Sequence, residues 1–205
     1  MPKKPQKKKP SKKQPIKQPK ARLTPPSLDS LTEAQEKLKA AIASGPRGSF
    51  RMEGPFAIYM QAPEYGILAQ ELGGYVRLRS TVPPRLSETA ILCTAKFWRA
   101  QFEWYAHARI AAEKGVKEKT IKAILAGKRP DKAPKDEIAI YDFVKELYAD
   151  RRVSDATYKR VQKVLGDQAT VELVGICGYY AMISMLLNTF RAPLPAGEEL
   201  IFKEP

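Results

Sequence analysis

The chain has 205 residues, 43% hydrophobic and 9% aromatic, with 36 Lys and Arg against 22 Asp and Glu for a formal charge of +14. Ten of those bases and none of the acids fall in the first 28 positions, leaving 26 bases against 22 acids for the rest, so the charge belongs to a tail and a nucleic-acid field over the whole protein is excluded. Two cysteines, Cys93 and Cys177, stand far apart with no CxxC, which excludes a disulfide scaffold, a thiolate zinc site and a paired-thiol redox motif, and points to a reducing, cytoplasmic setting.

Residues 1–28 combine seven prolines with the ten bases, and they read as a disordered tail able to engage an acidic surface or nucleic acid nonspecifically. No secretory apolar segment and no uninterrupted run of about 18 apolar residues is present, so neither secretion nor a membrane partner is expected. Residues 29–205 read as one domain. Ser30-Leu31-Thr32-Glu33 has the pattern of a capping box, opening a helix that carries Leu38 and Ile42 and ends at Gly45-Pro46. A loop to about Ala62 follows. Pro63 opens a helical pattern through Tyr65, Leu68, Leu72 and Val76, stopped before Pro83-Pro84.

Ser87 is placed to cap the next helix, and no Gly or Pro occurs from Glu88 to Lys114. Further helices are expected at about 117–126, 134–150 and 154–165, then at 168–190, where Val171, Leu173, Ile176, Tyr179, Ile183 and Leu187 make the surface apolar nearly all round. That last helix suits a buried core or an oligomer contact. No alternating strand pattern is found, so the fold class is all-α.

One stretch carries chemistry. His107 is the sole histidine, and Glu103 precedes it by four residues, which on a helix sets both side chains on one face. Phe102, Trp104 and Tyr105 surround the pair, and desolvation with a neighbouring carboxylate tunes such an imidazole for proton transfer near neutral pH. A surface ion pair is the plainer alternative for this spacing.

Arg85-Leu86-Ser87-Glu88-Thr89-Ala90-Ile91-Leu92, then Glu103-x-x-x-His107 and Ala111-Ala112-x-x-Gly115-Val116, resembles the carboxymuconolactone decarboxylase family, whose fold is shared with the AhpD-type alkylhydroperoxidases. Looser matches at Glu172, Gly178-Tyr179-Tyr180 and Asn188 extend the likeness over roughly residues 50–195. The resemblance implies an AhpD-like helical bundle assembled as a homo-oligomer, a trimer or hexamer, with no cofactor and no metal. It implies a carboxy-lyase or related acid–base enzyme acting on a small carboxylated lactone or similar acid, with His107 as acid, Glu103 as its partner and Glu88 as a second member of the relay. Arg85, Arg99 and Arg109, with Tyr105, are candidates to hold the substrate. The alkylhydroperoxidase branch is similar in its glutamate and histidine, but its two cysteine positions hold Ala100 and Glu103 here, so a peroxidase needs Cys93 instead. A non-catalytic scaffold with a working basic tail is the third alternative. Metal binding by Glu88, Glu103 and His107 is disfavoured, because only one of the three ligands is nitrogen.

The family reading makes a geometric demand. On one straight helix Glu88 would lie about 28 Å from His107. The helix must therefore bend, between Phe97 and Phe102, where no Gly or Pro announces it.

Overall fold

A computed structural model describes residues 18–45 and 48–204. Among these the chain is all-helical and contains no strand: α1 (Glu33–Ser44), α2 (Gly54–Tyr59), α3 (Pro63–Leu78), α4 (Pro84–Trp98), α5 (Gln101–Glu113), α6 (Glu118–Leu125), α7 (Lys135–Ala149) and α8 (Asp155–Phe190), preceded by a 3-10 turn at Leu28–Ser30.

The centre is α4, buried continuously from Leu86 to Ala95. It lies against α8 and against α5, α6 and α7, while α2 and α3 pack on α8 and α1 packs on α3. Burial of this kind on helices apolar nearly all round is what stabilises them, since an isolated helix of α4's length is marginal in water. Most of the apolar window of α8 is covered by other helices, so its membrane-like length and composition are those of a core helix.

Local details correct several expectations. The capping box is real but lies two residues on, with Thr32 accepting from Gln35 N and Gln35 Oε1 accepting from Thr32 N at 2.9 Å. The expected loop before Pro63 contains the short helix α2, opened by Gly54-Pro55. Gly54 has φ +56°, and a Cβ there would lie 2.5 Å from the Phe102 ring, so only glycine admits that close approach. The helix expected to begin at Ser87 begins at Pro84, where proline's missing N–H costs nothing. The helices expected at 154–165 and 168–190 meet at Gly166 (φ 77°, ψ 176°), a non-helical residue inside α8.

The expected tail divides. Residues 1–17 lie outside the described residues. Residues 18–24, by contrast, are docked: Leu194 N donates to Gln18 Oε1 at 2.9 Å, and Arg22 donates to the Thr189 and Phe190 carbonyls at 2.8 and 3.0 Å. Backbone carbonyls left over at the C-terminal end of α8 thus find donors in a segment whose composition alone predicts disorder.

Glu172 ties α8 to α3 and to the turn after it. Its carboxylate accepts from Tyr75 Oη at 2.6 Å, from Thr81 N at 2.6 Å, from Thr81 Oγ1 at 2.7 Å and from Gln168 Nε2 at 3.3 Å. The Tyr75 hydroxyl, with Thr81 and Gln168, pulls the carboxyl down from 4.5 to about 2 despite some desolvation. A depressed folded pKa gives stability that is present above 4.5 and lost as pH falls through about 2. Glu172→Gln should therefore cost about 1 to 2 kcal/mol at pH 7. The deficit should shrink as pH falls from 4.5 to 2, which urea titrations across that range would show.

Candidate acid–base site

The bend required for Glu88 and His107 to meet is present. Arg99 takes left-handed dihedrals (φ 51°, ψ 38°) and Ala100 extended ones (φ −79°, ψ 104°), ending α4 and starting α5. The two helices fold back on each other along their length. Glu88, one turn into α4, then reaches His107 on α5.

His107 stands between two carboxyl groups. Its Nδ1 is 2.7 Å from Glu88 Oε2, in hydrogen-bond geometry, and its Nε2 is 3.4 Å from Glu103 Oε2. All three residues are buried, at 4 to 5% exposure, so the surface ion-pair alternative does not describe them. The contact to Glu103 lacks hydrogen-bond geometry, and Glu103 Oε2 has no other partner among the described residues. Since the imidazole separates the two carboxyls, the three side chains do not converge on one point where a metal could bind them together. They are arranged in a line, as a relay is.

Burial drives the Glu103 carboxyl above the ordinary glutamate range, opposed in part by His107 and by the guanidinium of Arg77 and reinforced by Glu88. A carboxyl so placed holds its proton more readily than one in water, and it faces the ring nitrogen that Glu88 leaves free. The same burial makes Glu103 costly. A raised folded pKa contributes stability only below 4.5, which is lost as pH rises through the folded value. Glu103→Gln, whose amide can donate to Nε2, should be close to neutral at pH 4 and more stable than the parent by about 1 to 3 kcal/mol at pH 8. Chemical denaturation at the two pH values checks this.

Aromatic residues enclose the relay. The Tyr180 ring stands edge-on to His107 at 4.9 Å between centroids, and Tyr179 meets Tyr180 at 5.4 Å. Burial, then the charge of Glu103, pushes the Tyr180 hydroxyl well above its usual range, so it is a neutral donor.

The expected substrate-holding residues are elsewhere. Arg85 is engaged by Asp136 and Glu137 at the start of α7. Arg99 donates to the Lys203 carbonyl at the α4–α5 corner. Arg109 is exposed and lies 3.6 Å from Glu113. Tyr105 is half-buried, edge-on to Phe102 at 6.3 Å. None of the four joins the relay, because spacing along a helix says which residues share its face and nothing about which other helix faces them.

The cation that does act on Glu103 is Arg77, in the last turn of α3. Sequence reasoning missed it, since a base in a helix's last turn is ordinary dipole compensation. Arg77 also lines a surface cavity of about 320 Å³ with Arg51, Phe56, Leu78 and Phe102. Tyr180 was marked only through the family likeness.

The two cysteines are free and buried, and desolvation pushes the Cys93 thiol far up and the Cys177 thiol up to about 12. That is the opposite of a poised thiolate. No family model matches the chain, and no curated protein sequence matches it significantly.

Proposed function

We propose that the chain is a carboxymuconolactone decarboxylase-like carboxy-lyase with an AhpD-like bundle, performing acid–base chemistry on a small carboxylated lactone or related acid. The observation that carries this reading is the buried line Glu88–His107–Glu103, in which a carboxyl biased toward its protonated form faces an imidazole oriented by a second carboxyl. Loss of CO2 breaks the carbon–carboxyl bond and leaves its electron pair on the lactone as an enolate. Glu103 passes its proton to His107 Nε2, the ring delivers it to carbon, and solvent reprotonates the Glu103 carboxylate. Arg77, the guanidinium that acts on Glu103, is the group assigned to offset the substrate's charge; the surface cavity it lines with Phe56 and Phe102 is a neighbouring one that Glu88, Glu103 and His107 do not line.

The test is turnover of a carboxylated γ-lactone in deuterium oxide, following CO2 release and deuterium incorporation at carbon. Both are expected in the parent, and both should fall by at least a hundredfold in Glu103→Gln and His107→Asn. Full turnover by either variant would overturn the assignment.

The reading carries a homo-oligomer, a trimer or hexamer, in the cytoplasm, where two unpaired thiols persist. It is supported by an apolar strip along α3 and the neighbouring α8: Leu68 and Val171 are 69% and 73% exposed, with Leu72, Val174 and Met185 beside them. The hydrogen bonds from Tyr65 to Met182 and from Tyr75 to Glu172 show that the two helices run side by side there. Leu68→Glu with Val171→Glu should convert the assembly to monomers in light scattering.

A further inference from the structure

A second cavity, of about 360 Å³, lies at the α4–α5 corner, walled by that corner, the C-terminal end of α8 and the two terminal segments. Four cations line it, Arg22, Arg99, Arg191 and Lys203, against one carboxylate, Glu204. Glu204 Oε1 is already held by Gln101 Nε2 at 2.7 Å. Arg22 and Arg99 donate to neutral backbone carbonyls, those of Thr189 and Lys203. None of the four cations has a carboxylate within 4.0 Å among the described residues. Trp98, on the same wall, keeps its indole N–H buried without an acceptor among the described residues.

The backbone supplies a second, independent observation. Three non-glycine residues have positive φ among the described residues, and two of them, Arg99 (φ 51°) and Arg191 (φ 52°), end α4 and α8 at this cavity. Glycine is the residue best suited to such helix ends, because a Cβ is strained in the left-handed region. At both ends the strained residue instead brings a guanidinium to the same space. Four cations gathered around one carboxylate repel one another, and an anion among them reduces that repulsion while accepting several charge-assisted hydrogen bonds.

We infer that this cavity binds a small organic anion bearing at least two negative charges, through Arg22, Arg99, Arg191 and Lys203. Phosphate and carboxylate groups share that chemistry, and both match the planar fork of arginine. The site does not depend on the relay: it faces the corner and the chain ends, and Glu88, Glu103 and His107 do not line it. Bound there, an anion would pin four segments together, including the Arg99–Ala100 corner.

Isothermal titration of the full chain with pyrophosphate, and separately with citrate, at fixed ionic strength in 0.15 M NaCl tests this. One equivalent should bind saturably, and whichever probe binds tells phosphate from carboxylate. Arg99→Gly and Arg191→Gly relax the backbone at both helix ends, so each variant stays folded, with an unchanged circular dichroism spectrum, and each should bind at least tenfold more weakly. Binding that persists undiminished in both variants belongs to bases elsewhere in the chain and overturns the proposal, as does the failure of both probes to bind the parent.

Discussion

His107→Ala is expected to lose activity and also to unfold about 3 to 5 kcal/mol more easily, the range seen when one partner of a buried ionic or hydrogen-bonded group is removed. The parent imidazole does two things at once. It gives Glu88 a hydrogen bond at 2.7 Å, and it keeps the Glu88 and Glu103 carboxyls on opposite sides of a ring. Deleting it leaves Glu88 buried without that donor, leaves two acids facing across an apolar gap, and removes the edge contact with Tyr180. The comparison with Glu103→Gln is informative because the signs differ. Both variants should be inactive, yet one should be less stable than the parent and the other more stable at pH 8. A residue whose removal stabilises the fold while abolishing turnover is one the fold does not need, whereas a merely structural carboxyl would give the reverse. Guanidinium titrations of both variants, set beside turnover in deuterium oxide, separate the cases. Equal destabilisation by the two substitutions would show that Glu103 serves packing.

The meeting of Glu88 with His107 was legible for an unusual reason. Neither the 3.6 period nor any punctuation between Glu88 and Lys114 signals a break, and read locally the stretch is a rod. Only the requirement that Glu88 and His107 share chemistry forces a bend, and the structure has it at Arg99, an arginine in a conformation that glycine would have advertised. The helices at 117–126, 134–150, 154–165 and 168–190 were legible because their apolar periods are long and their ends carry prolines, glycines or capping serines. Helix α2 was not, since six residues beginning Gly-Pro look like a turn, and what they pack on is α8 and α3, with the Phe102 ring close over Gly54, 48 positions away in the sequence. Arg77 was invisible for the same reason. Its effect on Glu103 depends on how α3 lies against the rest of the bundle, and no spacing within α3 or α5 encodes that.

Arg85 gives the second large effect, and it is an effect on folding. As a cation in the first turn of α4 it sits at the positive end of a helix, which is unfavourable by itself. Asp136 and Glu137 sit in the first turn of α7, where acids are favoured. The two helix starts face each other with the acids between them: Arg85 Nη2 is 2.5 Å from Asp136 Oδ2, Nη1 donates to Glu137 Oε1, and Thr120 donates to Glu137 Oε2 at 3.3 Å. Glu137 is 1% exposed. Arg85→Ala therefore strands a buried carboxyl whose other polar contact is a long hydrogen bond to a neutral hydroxyl. The expected cost is about 3 to 5 kcal/mol, or roughly 10 °C in Tm for a domain of this size. Were Arg85 a substrate ligand, the same variant would keep its Tm and raise KM; the geometry requires the opposite, a lowered Tm with KM unchanged in the folded fraction. Pairing the substitution with Glu137→Leu removes the stranded charge and should recover most of the loss, since replacing both partners of a buried pair by apolar groups is often neutral. Recovery in the double variant, measured by urea unfolding, would identify the desolvated Glu137 carboxyl as the source of the penalty, and additive losses would place it in the packing of the Arg85 side chain instead.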